Sequence, residues 1–121
     1  MNDTALQAEI DAKAVAPRIT PIDIEANIVG EHYFTAADGY AGAYEHTLEP
    51  EHPLNLLTFC VLVLRNGFTV TGESACASPE NFNAEIGRKV ARENAINKIW
   101  PLMGYELRSK LAVIESLKAG A

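Results

Sequence analysis

Residues 88–100 read RKVARENAINKIW and carry the most suggestive polar chemistry in the chain. Successive helical residues turn by about 100°, which puts Phe82, Val90 and Trp100 within about 40° of Ile86. Glu93 and Asn97 fall within about 20° of the same line, and Asn94 lies at its edge. An amphipathic helix should be dry there. Asparagine offers both donor and acceptor, the pair needed to read the edge of a base. Arg92, Lys98 or Arg108 could meet a phosphate, arginine in bidentate fashion. Phe82, Tyr33 or Trp100 could stack on a ring. Two readings stay open. Either these side chains bond backbone groups of the loop or of the helix after Pro101, as buried polar groups normally do, or they line a pocket at a helix–sheet or subunit boundary.

Other reactive residues form no comparable pattern. Neither GxGxxG nor GxxxxGK[ST] occurs. His46 and His52, with Glu45, Glu49 and Glu51 nearby, could hold a metal. The histidines lack HExxH or HxH spacing, and a solvated acidic loop is the better reading. Ser74 in TGESACA lacks the GxSxG context of a nucleophile elbow. Cys60 and Cys76 have neither metal-site spacing nor a disulfide framework. In an apolar strand, Cys60 should behave as a small hydrophobe. The chain therefore reads as a non-enzyme with no catalytic residues, metal or cofactor.

Bulk properties narrow the classes. A length of 121 residues suits one domain, and 48% hydrophobic residues can fill its core. A net charge of -6 disfavours the DNA or RNA backbone as a partner. Basic residues do gather late, at Arg88, Lys89, Arg92, Lys98, Arg108 and Lys110, while most of the acid precedes residue 56. The start lacks the basic-then-apolar order of a signal peptide, and no apolar run reaches the roughly 18 residues of a membrane span. A cytoplasmic protein with reduced thiols is expected.

The elements that must position these residues follow from local signals. Residues 1–17 read as an N-terminal arm and 18–121 as a single α+β domain. Thr20-Pro21-Ile22-Asp23 opens a short helix with a cap, a proline at the first position and a carboxylate reaching back; Gly30 would stop it. Residues 31–36 read as a strand and 37–53 as a long loop. Asn66-Gly67 predicts a two-residue type I′ hairpin. That pairs Arg65 with Phe68, Val63 with Val70 and Val61 with Gly72, making Phe59, Val61, Val63, Phe68 and Val70 the core face. The other face (Cys60, Leu62 and Leu64 opposite Thr69, Thr71 and Glu73) could pack against a helix or a second subunit. Ser78-Pro79 opens a helix that Pro101 breaks or kinks, with a last helix from about Leu102 to Leu117. Ala84, Ala91 and Ala95 give the first of these helices a small-residue side, where another helix could approach closely. The expected fold is an antiparallel sheet built on a central hairpin, packed against two C-terminal helices, with a short N-terminal helix.

The strings TPIDIEANI, EHYFTAADG, LLTFCVLVLRNGFTVTGESACASPENF and AEIGRKVARENAINKIWPLMGYELR, in that order, resemble a family of small tailed-phage and prophage proteins. That family is named after gene 49 of one coliphage and gene 66 of another. The resemblance covers about residues 18–112 and implies a phage or prophage origin, hence the cytoplasm of a bacterial host. It brings no activity and no site residues. Arg92-Glu93-Asn94-Ala95 is also similar to a helix in a phage anti-defence family, sponges that inhibit the Thoeris system by sequestering a cyclic ADP-ribose-type messenger. That resemblance implies an oligomeric binder of a cyclic nucleotide or ADP-ribose-type signal. Asn94 matches its motif directly; Phe82 and Arg108 stand at looser spacings. With Arg92 and Asn97 from the polar stripe, these are the expected ligand-binding residues. The alternative is a factor that binds a host or phage protein and modulates it.

Overall fold

A computed structural model describes residues 3–13 and 16–120. Residues 1, 2, 14 and 15 of the expected arm, and residue 121, lie outside them. The elements run α1 (Asp3–Lys13), α2 (Pro21–Asn27), β1 (Ile28–Thr35), α3 (Ala36–Tyr44), β2 (Leu57–Leu64), β3 (Thr69–Ala75) and α4 (Ala84–Gly120). The strands form one antiparallel sheet in the order β1-β2-β3, and α4 lies on one face of it, chiefly over β3 and β2. The α+β class is as the sequence implies.

The Thr20 capping box forms in full: Asp23 N–H donates to Thr20 Oγ1 at 3.2 Å and Thr20 N–H to Asp23 Oδ2 at 2.9 Å. α2 ends at Asn27, short of Gly30, because the chain already enters β1 at Ile28. The stretch expected as a loop holds α3. Thr35 and Asp38 make a second capping box at the start of this helix, a signal obscured by Gly39 and Gly42 inside it.

The hairpin differs from the type I′ expectation by one residue. Leu64 N–H donates to Phe68 O at 2.8 Å and Gly67 N–H to Leu64 O at 2.9 Å, which closes a three-residue loop. Among these loop residues only Gly67 has a positive φ, 89°, as a turn with a glycine bulge requires and type I′ does not. Leu62 therefore pairs with Val70 and Cys60 with Gly72. A one-residue slip of β2 against β3 exchanges the two faces of β2, while Val70 keeps its place in the core. The buried face is Cys60, Leu62, Leu64 and Val70, while Phe59, Val61 and Val63 are only half-buried on the side away from α4.

The helix over this face is also rotated from expectation. Gly87, Ala91, Ala95 and Ile99 are its buried residues, whereas Ile86 and Val90, on the expected stripe, are 59% and 43% exposed. Size decides it. A Cβ on Gly72 would collide with Ala91 O and Ala95 N, so the helix backbone rests directly on β3. Larger side chains would hold the layers apart. Leu62, Leu64, Val70 and Ile99, with Ile24 from α2, fill the remaining core.

α4 begins later than Ser78 predicts. Pro79–Asn81 is a short 3-10 turn in which Ser78 makes no side-chain cap, and Asn83 Oδ1 caps α4 by accepting from Ile86 N–H at 3.0 Å. The two expected C-terminal helices are one, 37 residues long with Pro101 inside it. No capping glycine precedes this proline and no capping residue follows it. Packing on the sheet holds the helix up to Ile99, and Leu102 and Met103, both good helix formers, carry it on past the proline.

Candidate functional site

The residues expected to bind a ligand lie around α4, and each now has an address. Arg92 faces α2 and β1. Its Nη1 and Nη2 donate to the two Glu25 carboxylate oxygens at 3.0 and 2.8 Å, and its Nε donates to Glu31 at 2.9 Å. Tyr33 OH donates to the other Glu31 oxygen at 2.7 Å. These contacts tie α4 to α2 and β1. The Arg92 hydrogen bonds hold the Glu25 carboxyl below its ordinary range. Burial pushes Glu31 upward, but Tyr33 and Arg92 together outweigh it, and the net shift is downward. Burial and the Glu31 carboxylate push the Tyr33 phenol up. Arg92, held chiefly by Glu25, stays charged. A phosphate could reach this guanidinium only by displacing two carboxylates.

Asn94 sits one turn from the core stripe, over the free edge of β3. Its Nδ2 donates to Glu73 O at 2.8 Å, and Lys98 Nζ lies 3.4 Å from Thr71 Oγ1. Both side chains satisfy or screen a sheet edge that would otherwise offer bare backbone groups. Asn97 faces elsewhere. With Glu93, Ile96 and Trp100 it forms one wall of a groove of about 650 Å3, whose other wall is α1. Phe82 lines a separate slot of about 110 Å3 with Tyr33, Phe34, Thr58 and Arg88. Arg108 pairs with Glu115 at 2.7 Å. It lies 14 residues beyond Asn94 on the same helix, about 21 Å along the axis at 1.5 Å per residue. Within one chain, then, Asn97 and Glu93 share a cavity, while Arg92, Asn94, Phe82 and Arg108 have separate surroundings.

The sequence matches the model of the phage protein (N4 Gp49/phage Sf6 gene 66) family over residues 19–111. The chain belongs to that family. No curated protein and no solved structure matches it. In this family member the match begins after α1 and ends within α4, so the domain core and the Arg92 clamp lie inside it and α1 lies outside.

A further groove of about 690 Å3 opens between α2, the hairpin turn and α4. Its cations are engaged: Arg65 donates to Ala26 O at 2.6 Å, and Lys110 pairs with Glu106 at 3.6 Å. Among the described residues no group of three or more His, Cys, Asp or Glu could hold a metal ion. His52 caps the short turn at Pro53–Leu56 through Nδ1, which accepts from Leu54 N–H at 3.1 Å. No helix among those residues is long and apolar enough to cross a membrane.

The sequence reading missed two features. The clamp joins Arg92 to carboxylates more than sixty positions away, on two other elements, and nothing local marks such a pairing. The α1 wall of the groove did leave a trace: Leu6 and Ile10, four residues apart, put two apolar side chains on one side of a helix.

Proposed function

We propose that this phage-family protein is a non-enzymatic accessory factor that acts by binding a host or phage protein. The observation behind the reading is the number of large apolar side chains that α4 leaves exposed, most of them beyond Pro101, where Leu102, Val113 and Leu117 continue the line of its buried stripe past the sheet. Ile86, Val90, Leu102, Tyr105, Val113, Ile114 and Leu117 are all exposed along the helix. Monomers rarely leave so much apolar surface on one element unless something binds there. The net charge of -6 points away from a nucleic-acid partner. Affinity capture from nuclease-treated infected-host lysate tests it. A stoichiometric protein should be retained by the native chain and lost with Tyr105→Glu or Leu117→Glu. Equal recovery with these variants overturns the assignment to α4.

One observation favours a second reading, sequestration of a cyclic nucleotide or ADP-ribose-type immune messenger by an oligomer. The groove of about 650 Å3 carries Asn97 and Trp100, a volume suited to a small molecule. Against it, the cationic side chains Arg92 and Arg108 are occupied by carboxylates. A panel of cyclic nucleotides and ADP-ribose isomers should then raise the melting temperature by mass action. No shift with any of them removes this reading.

A further inference from the structure

The groove between α1 and α4 has an unusual balance of charge. Leu6 and Ile10 of α1 face Ile96 and Trp100 of α4 across it, yet about 650 Å3 stays open between them. Leu6 and Ile10 remain 45% and 43% exposed, so α1 is only half seated. Its rim holds Asp11 and Glu93, and no lysine or arginine lines it. Glu93 has no ion-pair partner among the described residues: its neighbour Arg92 is held by Glu25 and Glu31, and the cations in and just after α1 are spent on α1's own acids, Lys13 on Glu9 at 3.0 Å and Arg18 on Asp11 at 2.6 Å. An acidic helix thus rests beside the unpaired Glu93 carboxylate of the α4 wall. Like charges across a contact weaken it and select against that partner.

That α1 lies here at all means the α4 face admits a helix with two apolar side chains four residues apart. Its acidity makes it a poor occupant, and a helix of opposite charge would hold the same face more tightly. We propose that the Glu93–Trp100 face is the docking site for a basic amphipathic helix of a partner protein, with α1 acting as a strap that covers the face until that helix replaces it. Helix-in-groove recognition of this kind uses apolar anchors at such spacing. The inference rests on the protein-binding reading and adds to it a second surface, distinct from the exposed residues beyond Pro101: the partner should present leucine-like anchors flanked by lysine or arginine.

Trp100 is the only tryptophan in the chain and lines the groove, so its emission reports directly on occupancy. The full-length protein is titrated with two model peptides of the same helical leucine pattern, one with lysine and one with glutamate on the polar face. The lysine peptide should give a saturable change in Trp100 emission that weakens with added salt, and the glutamate peptide none. Glu93→Lys, at an exposed position, should leave the circular dichroism and melting temperature unchanged. It should weaken lysine-peptide binding about tenfold, or about 1.4 kcal/mol. Ile10→Ser, which loosens α1 without adding charge, should tighten it. Equal binding of both peptides, or no effect of Glu93→Lys, overturns the docking site; no effect of Ile10→Ser overturns the strap. An emission change with a nucleotide and none with either peptide makes the groove a small-molecule site instead. If Glu93→Lys recovers the partner from lysate in undiminished amount, this face falls while the protein-binding reading stands.

Discussion

The two halves of α4 are built on opposite terms. Up to Ile99 the helix is pressed onto the sheet through Gly87, Ala91 and Ala95, with backbone against backbone at Gly72. Beyond Pro101 none of its residues is buried. That half is rich in leucine, alanine, lysine, arginine and glutamate, which favour helix without help from packing. It adds the Glu106–Lys110 and Arg108–Glu115 pairs along its own surface. The first half is helical because the sheet holds it. The second is helical by composition, and its large apolar side chains are left free to meet something else.

The contrast can be broken by mutation, and the largest effect should come where backbones touch. Gly72→Val should abolish the cooperative native fold, because the atoms it meets are helix backbone and cannot move aside. Overpacking alone commonly costs about 1–3 kcal/mol, occasionally more. A cooperative transition at the native temperature would show that α4 is not seated as described. Next come Ile99→Ala and Leu117→Ala. Ile99 is fully buried, and its truncation should cost about 2–5 kcal/mol in a denaturant melt. Leu117 is 69% exposed, and its truncation should stay within about 0.5 kcal/mol. Similar losses at both positions would erase the distinction between the halves.

The charged pairs should separate the halves more gently. Arg92→Ala removes a partly buried clamp across three elements and should cost about 1–3 kcal/mol at neutral pH. Arg108→Ala breaks an exposed pair worth about 1 kcal/mol at most. The clamp also has a pH signature. Glu25 and Glu31 titrate lower in the folded chain than the ordinary glutamate value of 4.5. The unfolded chain therefore takes up protons first as pH drops. Stability from these groups is complete above that value and is lost as pH falls through the lower, folded values. Melting temperatures measured down through this window should drop less steeply in Arg92→Ala than in the native chain. Parallel curves would mean that the carboxylates owe nothing to Arg92.

Features written in neighbouring residues are legible in the amino-acid sequence. The Thr20–Asp23 capping box, the hairpin and the α+β order are of this kind, and so is the family resemblance carried by residues 18–112. Features that depend on what lies opposite are not. The stripe centred on Ile86 follows hydrophobicity, but the helix turns its smallest residues inward because Gly72 lets the backbones meet. The hairpin register turns on whether one or two loop residues adopt a positive φ, and Asn66-Gly67 suits either. At the candidate site, Asn97 and Trp100 are recognisable by type and spacing. Arg92 reads as a cation in search of an anion, and its carboxylates come from α2 and β1. Asn94 finds a carbonyl on β3.

The contact at Gly72 also constrains how this chain can vary. A methyl group at 72 can be admitted only if the helix rises, and a helix that rises leaves Ala91 and Ala95 too short to reach the sheet. Positions 72, 91 and 95 therefore behave as one hereditary unit: none can enlarge alone, and a workable change in one must arrive with changes in the other two.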